Sequence, residues 1–152
     1  MARSLEVKTV GKSNFSKYGV ILEHVNQIDG YEALVKVDSR GWIWAILTFN
    51  NRTIERIEQH PASKESFEPV FGTAMILVAP AGYPDNVELF LLDKAVMLHE
   101  GIWHQVMSLS EVSRVKITEN SDVTAEYYEL GYSVTAALVC VQKHEQGPLP
   151  NL

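Results

Sequence analysis

The chain has a single cysteine in 152 residues. No intrachain disulfide can staple it, so its stability has to come from a packed core, which a chain of this length can build as one domain. Cys140 sits in the apolar run 136–141 and reads as a small buried hydrophobe rather than a reactive thiol. No apolar stretch approaches the roughly 18 residues that a membrane helix needs. Residues 1–6 carry no apolar signal core, so a cytoplasmic protein without a membrane partner is expected. Basic residues are few, 13 Lys and Arg against 19 Asp and Glu. The resulting formal charge of -6 argues against a nucleic-acid partner, which needs a basic face, but leaves room for a basic pocket that takes an anionic small molecule. Glycine-rich phosphate loops, P-loops and nucleophile elbows are also missing, as are linkers, repeats and low-complexity segments.

What is present is mostly strand signal. Residues 5–10 and 34–38 alternate, and 41–49 (Gly-Trp-Ile-Trp-Ala-Ile-Leu-Thr-Phe) is so rich in aromatic and β-branched residues that it reads as a buried strand. Further extended runs follow at 20–23, 53–60, 70–80, 89–92, 95–99, 102–107, 112–117 and 133–141, separated by turn clusters such as Ala81-Gly82-Tyr83-Pro84-Asp85-Asn86. Residues 13–19 read as a short helix capped by Ser13 and stopped by Gly19, while 124–130 fits a strand or a short helix. One domain over 1–145 with a frayed tail at 146–152 is expected. Many short strands with turns about every ten residues predict an all-β sandwich or barrel.

Two histidine motifs about forty residues apart are the candidate site. The first is Glu58-Gln59-His60-Pro61, followed by Glu65, Phe67, Pro69 and Gly72; the second is His99-Glu100-Gly101-Ile102-Trp103-His104. Glu58 and His60 are two apart in a strand pattern, so they share a face of a sheet. Imidazole and carboxylate together suit a divalent metal (zinc, nickel, iron or manganese). They equally suit metal-free general acid and base work near neutral pH. Tested against both is a bland reading in which the histidines are satisfied core residues. Glu65 or His99 is a candidate to complete the metal's ligand set, although Glu65 is expected to be solvated rather than a ligand. His24 and His144 are expected at the surface, and Trp42 and Trp44 in the core, with Trp103 the tryptophan best placed to line a pocket.

The spacing Glu58-x-His60, Glu65, Gly72 and Gly101-x-x-His104 resembles the paired motifs of cupins. The residues around it, Glu58-Gln59-His60-Pro61, Phe67-Pro69, Val78-Ala79-Pro80, Gly101-Ile102-Trp103-His104 and the opening Phe15-Ser16-Lys17-Tyr18-Gly19, resemble the ureidoglycolate lyase family from about Leu5 to Ile117. The resemblance implies a cupin-like jelly-roll β-barrel with one or two short helices, a homodimer, and a lyase that cleaves (S)-ureidoglycolate to glyoxylate and urea. It implies Glu58, His60 and His104 as catalytic residues or as ligands of a nickel, manganese or zinc ion. Arg52, Trp103, His99 and Gln105 are implied as substrate contacts, with Arg56 a second candidate for holding the carboxylate. The chain departs from the family pattern at Gln105, where a second histidine is usual, and at Met97-Leu98-His99. Those departures point to an alternative, the same fold acting on another, more apolar substrate. A non-catalytic ligand-binding cupin is a further alternative, and a metal-dependent oxygenase a third.

Overall fold

The computed structural model describes residues 4–25 and 30–136; Cys140, His144 and the expected tail lie outside them. Among the described residues the regular structure is strand apart from one short helix. In chain order the elements are β1 (Val7–Thr9), α1 (Lys12–Phe15), β2 (Gly19–Ile21), β3 (Trp42–Asn50), β4 (Ile54–Gln59), β5 (Glu65–Phe71), β6 (Ala74–Ala79), β7 (Glu88–Leu91), β8 (Val96–Leu98), β9 (Trp103–Ser108), β10 (Val112–Asn120) and β11 (Glu126–Val134). They form a six-stranded sheet in the order β1-β7-β6-β9-β4-β11 and a five-stranded sheet in the order β2-β8-β5-β10-β3. The all-β, cupin-like architecture expected from sequence is present. The sheets pack as a sandwich and do not close into a barrel.

Period-two alternation builds the space between the sheets. Phe67, Ile76, Val78, Phe90, Val106, Val115 and Ile117 pack there with Phe49, and α1 adds Phe15. Phe15, Tyr18 and Phe90 meet edge to face with centroids 5.1–5.9 Å apart. The six-stranded sheet has a second core on its other face, where Met75, Leu77, Ala79, Trp103, Met107, Ile57 and Leu130 meet. This is why β6, Ala-Met-Ile-Leu-Val-Ala, is apolar at every position and buried at every position: a strand covered on both faces has no reason to alternate.

Three local expectations are corrected and one open reading is resolved. Residues 34–38 alternate in sequence but form no strand; the segment runs over the outside of the five-stranded sheet. β3 is not buried. It is the edge strand of its sheet, paired only with β10, and Trp42 and Trp44 on its outer face are 72% and 70% exposed. Aromatic richness reports compatibility with a pleated surface, not which side of it is covered. The helix is capped at Gly11, whose N–H donates to the Asn14 side chain at 3.0 Å, rather than by Ser13. The 124–130 ambiguity resolves as strand in β11. Pro69 is accommodated beside an irregularity in the β5–β10 register, where its missing N–H disrupts no regular ladder. Gly72 turns β5 into β6 at φ 75°, and any Cβ there would run into the Val112 carbonyl.

Candidate active site

At one end of the space between the sheets the inward stripes change from apolar to polar. Along β5 the stripe reads Phe67, then Glu65; along β9, Val106 then His104; along β10, Val115, Ile117, then Glu119. Register brings these positions together. Glu58 on β4 pairs with His104 on β9, and Glu65 on β5 pairs with Glu119 on β10. His60 follows β4 immediately, on the same side as Glu58. Gly101 (φ 74°) makes the turn that leads into β9, and its N–H donates to the His60 carbonyl at 2.9 Å. The apolar part of the core therefore supports the polar part, and the ring of Phe67 packs edge-on against His104 at 5.4 Å.

Glu65 is the centre of the arrangement. Its Oε2 lies 2.9 Å from His104 Nε2 and 3.1 Å from His60 Nε2, and all three residues are buried. The expectation that Glu65 faces solvent is overturned: it opens β5 on the inward side, where Phe67 two residues on is a core residue. The other nitrogen of each ring is already committed. His60 Nδ1 meets the Thr124 carbonyl and His104 Nδ1 the Ile102 carbonyl, each at 2.9 Å. A carbonyl can only accept, so each Nδ1 carries the hydrogen. A neutral ring would then aim the bare lone pair of Nε2 at a carboxylate oxygen. That is repulsive, so a positive charge has to sit between the imidazoles and Glu65, as a proton or as a metal ion.

The electrostatics agree. The hydrogen bond with Glu65 raises the His60 imidazole well above its ordinary value, against the opposing effect of burial. Burial pushes the Glu65 carboxyl up, but His104 and His60 outweigh it and hold the group below the usual carboxylate range. Glu119 is shifted the other way, raised by burial and by the negative charge of Glu65 beside it. Sequence reasoning did not single out Glu119. The signal that could have found it is the alternation Val115, Ile117, Glu119, which continues a core stripe into a carboxylate.

A metal fits this donor set. Ligand atoms of Glu58, His60 and His104 lie within 4.8 Å of one another, and so do those of His60, Glu65 and Glu119. His104 Nε2 and Glu65 Oε2 are fully buried without a hydrogen bond of good geometry. The Nδ1–H to carbonyl bonds are the outer support that metal-bound histidines usually have.

The remaining expected contacts sit elsewhere. Trp103 is buried in the second core against Tyr128, because adjacent strand residues face opposite sides and His104 takes the inward one. Gln105 likewise leaves the cluster and accepts a bond from Arg52 at 3.3 Å; both line a shallow polar depression with Arg56 and Glu129. His99 is exposed, with Nε2 3.2 Å from the Ser16 carbonyl beside α1.

An all-β sandwich with two imidazoles and several carboxylates gathered between its sheets defines a cupin-like protein. The sequence profile of the ureidoglycolate lyase family matches residues 40–130, and the chain belongs to that family. Ureidoglycolate lyases of Salmonella enteritidis PT4 and Salmonella paratyphi B are each 25% identical to it, over 123 and 122 aligned positions. Each alignment covers 66% of this chain and 76% of the relative. No helix among the described residues is long and apolar enough to cross a membrane.

Proposed function

We propose that the protein is a carbon–nitrogen lyase of the ureidoglycolate type, releasing glyoxylate and urea from (S)-ureidoglycolate. The observation that carries the reading is the convergence of two Nε2 atoms on one buried carboxylate. Collapse of a carbinolamine needs a base to take the hydroxyl proton. As the C–O bond becomes a carbonyl, the C–N bond breaks, and an acid must protonate the departing urea nitrogen. His60, kept charged by Glu65, is the acid. Glu58, paired with His104 across β4 and β9, takes the hydroxyl proton, and His104 stays against Glu65, where it holds that carboxylate in place. Positioned acid–base catalysis of this kind is worth about 10²–10⁴ in rate.

A divalent ion such as nickel, manganese or zinc would be held by His60 and His104 with Glu58, or by His60 with Glu65 and Glu119. It would supply Lewis-acid polarisation of the substrate's oxygens. Purified protein with racemic ureidoglycolate, with and without added nickel or manganese, tests the reading. Enantioselective glyoxylate release that His104→Ala abolishes is expected. Release no faster than the spontaneous rate, from folded protein under every metal condition, would sink it.

A further inference from the structure

A cleft of about 420 Å³ lies between the segment that carries Val35 and Val37 and the outer face of the five-stranded sheet, where Trp42, Thr118 and Asn120 line it with Met97 of β8. Its far wall is anchored. The Ser39 hydroxyl bonds the Gly41 carbonyl, which also accepts the Ser121 N–H at 3.0 Å. Two cations reach the cleft, Arg40 and Lys64. Lys64 is steadied by Glu100 at 3.1 Å, while Arg40 makes no ion pair to another described residue. Glu119 is the one acidic residue in the lining. Its carboxylate turns the other way, into the space between the sheets, where it lies within 4.8 Å of the His60 and Glu65 ligand atoms, so the cleft and that cluster lie on opposite faces of β10. The histidines themselves do not line it.

We propose that this cleft is a binding subsite for a carboxylate carrying an apolar substituent, with Arg40 and Lys64 pairing with the carboxylate and Val35, Val37, Trp42 and Met97 covering the apolar part. Charge complementarity selects the anion. A guanidinium offers a planar fork that matches a carboxylate with two parallel hydrogen bonds. The alternation at 34–38, which forms no strand, fits this wall: Val35 and Val37, two apart, both line the cleft. Arg52 and Arg56, the basic residues that sequence suggested for the carboxylate, lie in the separate depression beside Gln105. They have no part in this subsite.

Occupancy of the subsite does not require turnover, so it is tested by binding alone. The probes are phenylacetate, acetate, which lacks the apolar part, and phenylacetamide, which lacks the charge. Each is titrated by calorimetry into the intact protein. Phenylacetate is expected to bind about tenfold or more tighter than either of the others. The double variant Arg40→Gln, Lys64→Gln should erase its advantage over phenylacetamide. Val37→Asp should erase its advantage over acetate, and since Val37 is 42% exposed and outside any strand this variant should fold. Arg52→Gln should leave all three affinities within about twofold. Absence of phenylacetate binding, equal binding of the three probes, or a preference that survives the double variant would overturn the proposal. A protein that binds phenylacetate as described yet releases no glyoxylate would overturn the lyase reading and leave the subsite standing.

Discussion

Two carboxylates in this molecule are each held by several donors, and they teach different things. Glu88 on β7 accepts from Lys8 at 2.6 Å, from Lys17 at 2.6 Å and from the Tyr18 hydroxyl. Glu65 is approached by His60 and His104. Both carboxyls are pushed up by burial and pulled further down by their partners. The difference is in the donors. Lysine and tyrosine keep their protons far above neutral pH, and burial beside Glu88 pushes Tyr18 higher still. The Glu88 cluster is therefore a fixed clamp that ties β1 and the residues after α1 to the sheet. Imidazoles exchange protons near neutral pH, so the same carboxylate chemistry becomes a centre that can hand a proton on.

The largest expected effect comes from breaking the second cluster. Glu65→Gln removes the anion that keeps His60 charged and should lower the rate of glyoxylate release by about 10²–10⁴, with the far-ultraviolet circular dichroism of the wild type retained. Glu88→Gln should leave that rate within about threefold while lowering stability. The clamp is partly solvated, so screening reduces its worth to about 1 kcal/mol, or roughly 2–4 °C in Tm for a chain of this size. Rates and melting temperatures of the two variants, measured side by side, check the distinction. If Glu88→Gln were the one that silenced the enzyme, the assignment of roles would be reversed.

The asymmetry between the clusters bears on what sequence could show. The all-β sandwich was readable because period-two stripes and turn clusters are local signals, and Glu58, His60 and His104 could be singled out as candidates because their motifs are local too. Glu65 was misjudged because the family resemblance sets a glutamine at that position, and no local pattern shows the facing imidazoles that make a buried carboxylate tolerable there. Glu88 carried no signal at all, since its partners lie 70 to 80 residues away. Trp103 was misplaced for a simpler reason: adjacency to His104 in a strand puts it on the opposite face. The exposure of β3 depends on sheet order, which no local pattern encodes.

Acid titration sharpens the comparison at a smaller scale. The Glu88 carboxyl is lowered from an ordinary 4.5 to about 2. A depressed carboxyl stabilises the native state wherever it is ionised there. Its contribution is therefore complete above pH 4.5 and is lost as the pH falls through that value to about 2. Glu88→Gln should flatten part of the acid limb of stability, measured by urea unfolding from pH 6 downward in steps, and leave the plateau above about pH 5 parallel to wild type. A mutant limb as steep as the wild type's would mean that the lysines do not discriminate between the charged and neutral carboxyl.

The smallest effects should come from residues with the right chemistry in the wrong surroundings. His99 and Arg52 are a histidine and an arginine that motif reading places near substrate, yet each is solvent-exposed, and neither ring nor guanidinium meets a buried carboxylate. His99→Gln and Arg52→Gln should each change kcat/KM by less than about threefold, equivalent to under ~0.7 kcal/mol. A loss of a hundredfold in either would show that substrate approaches from β9's far face or from beside α1, and not through the space between the sheets. Residue type alone does not make an acid or a base here. His60, His104 and His99 each have one nitrogen against a backbone carbonyl; the first two differ in being buried with the other nitrogen turned toward a carboxylate that water cannot screen.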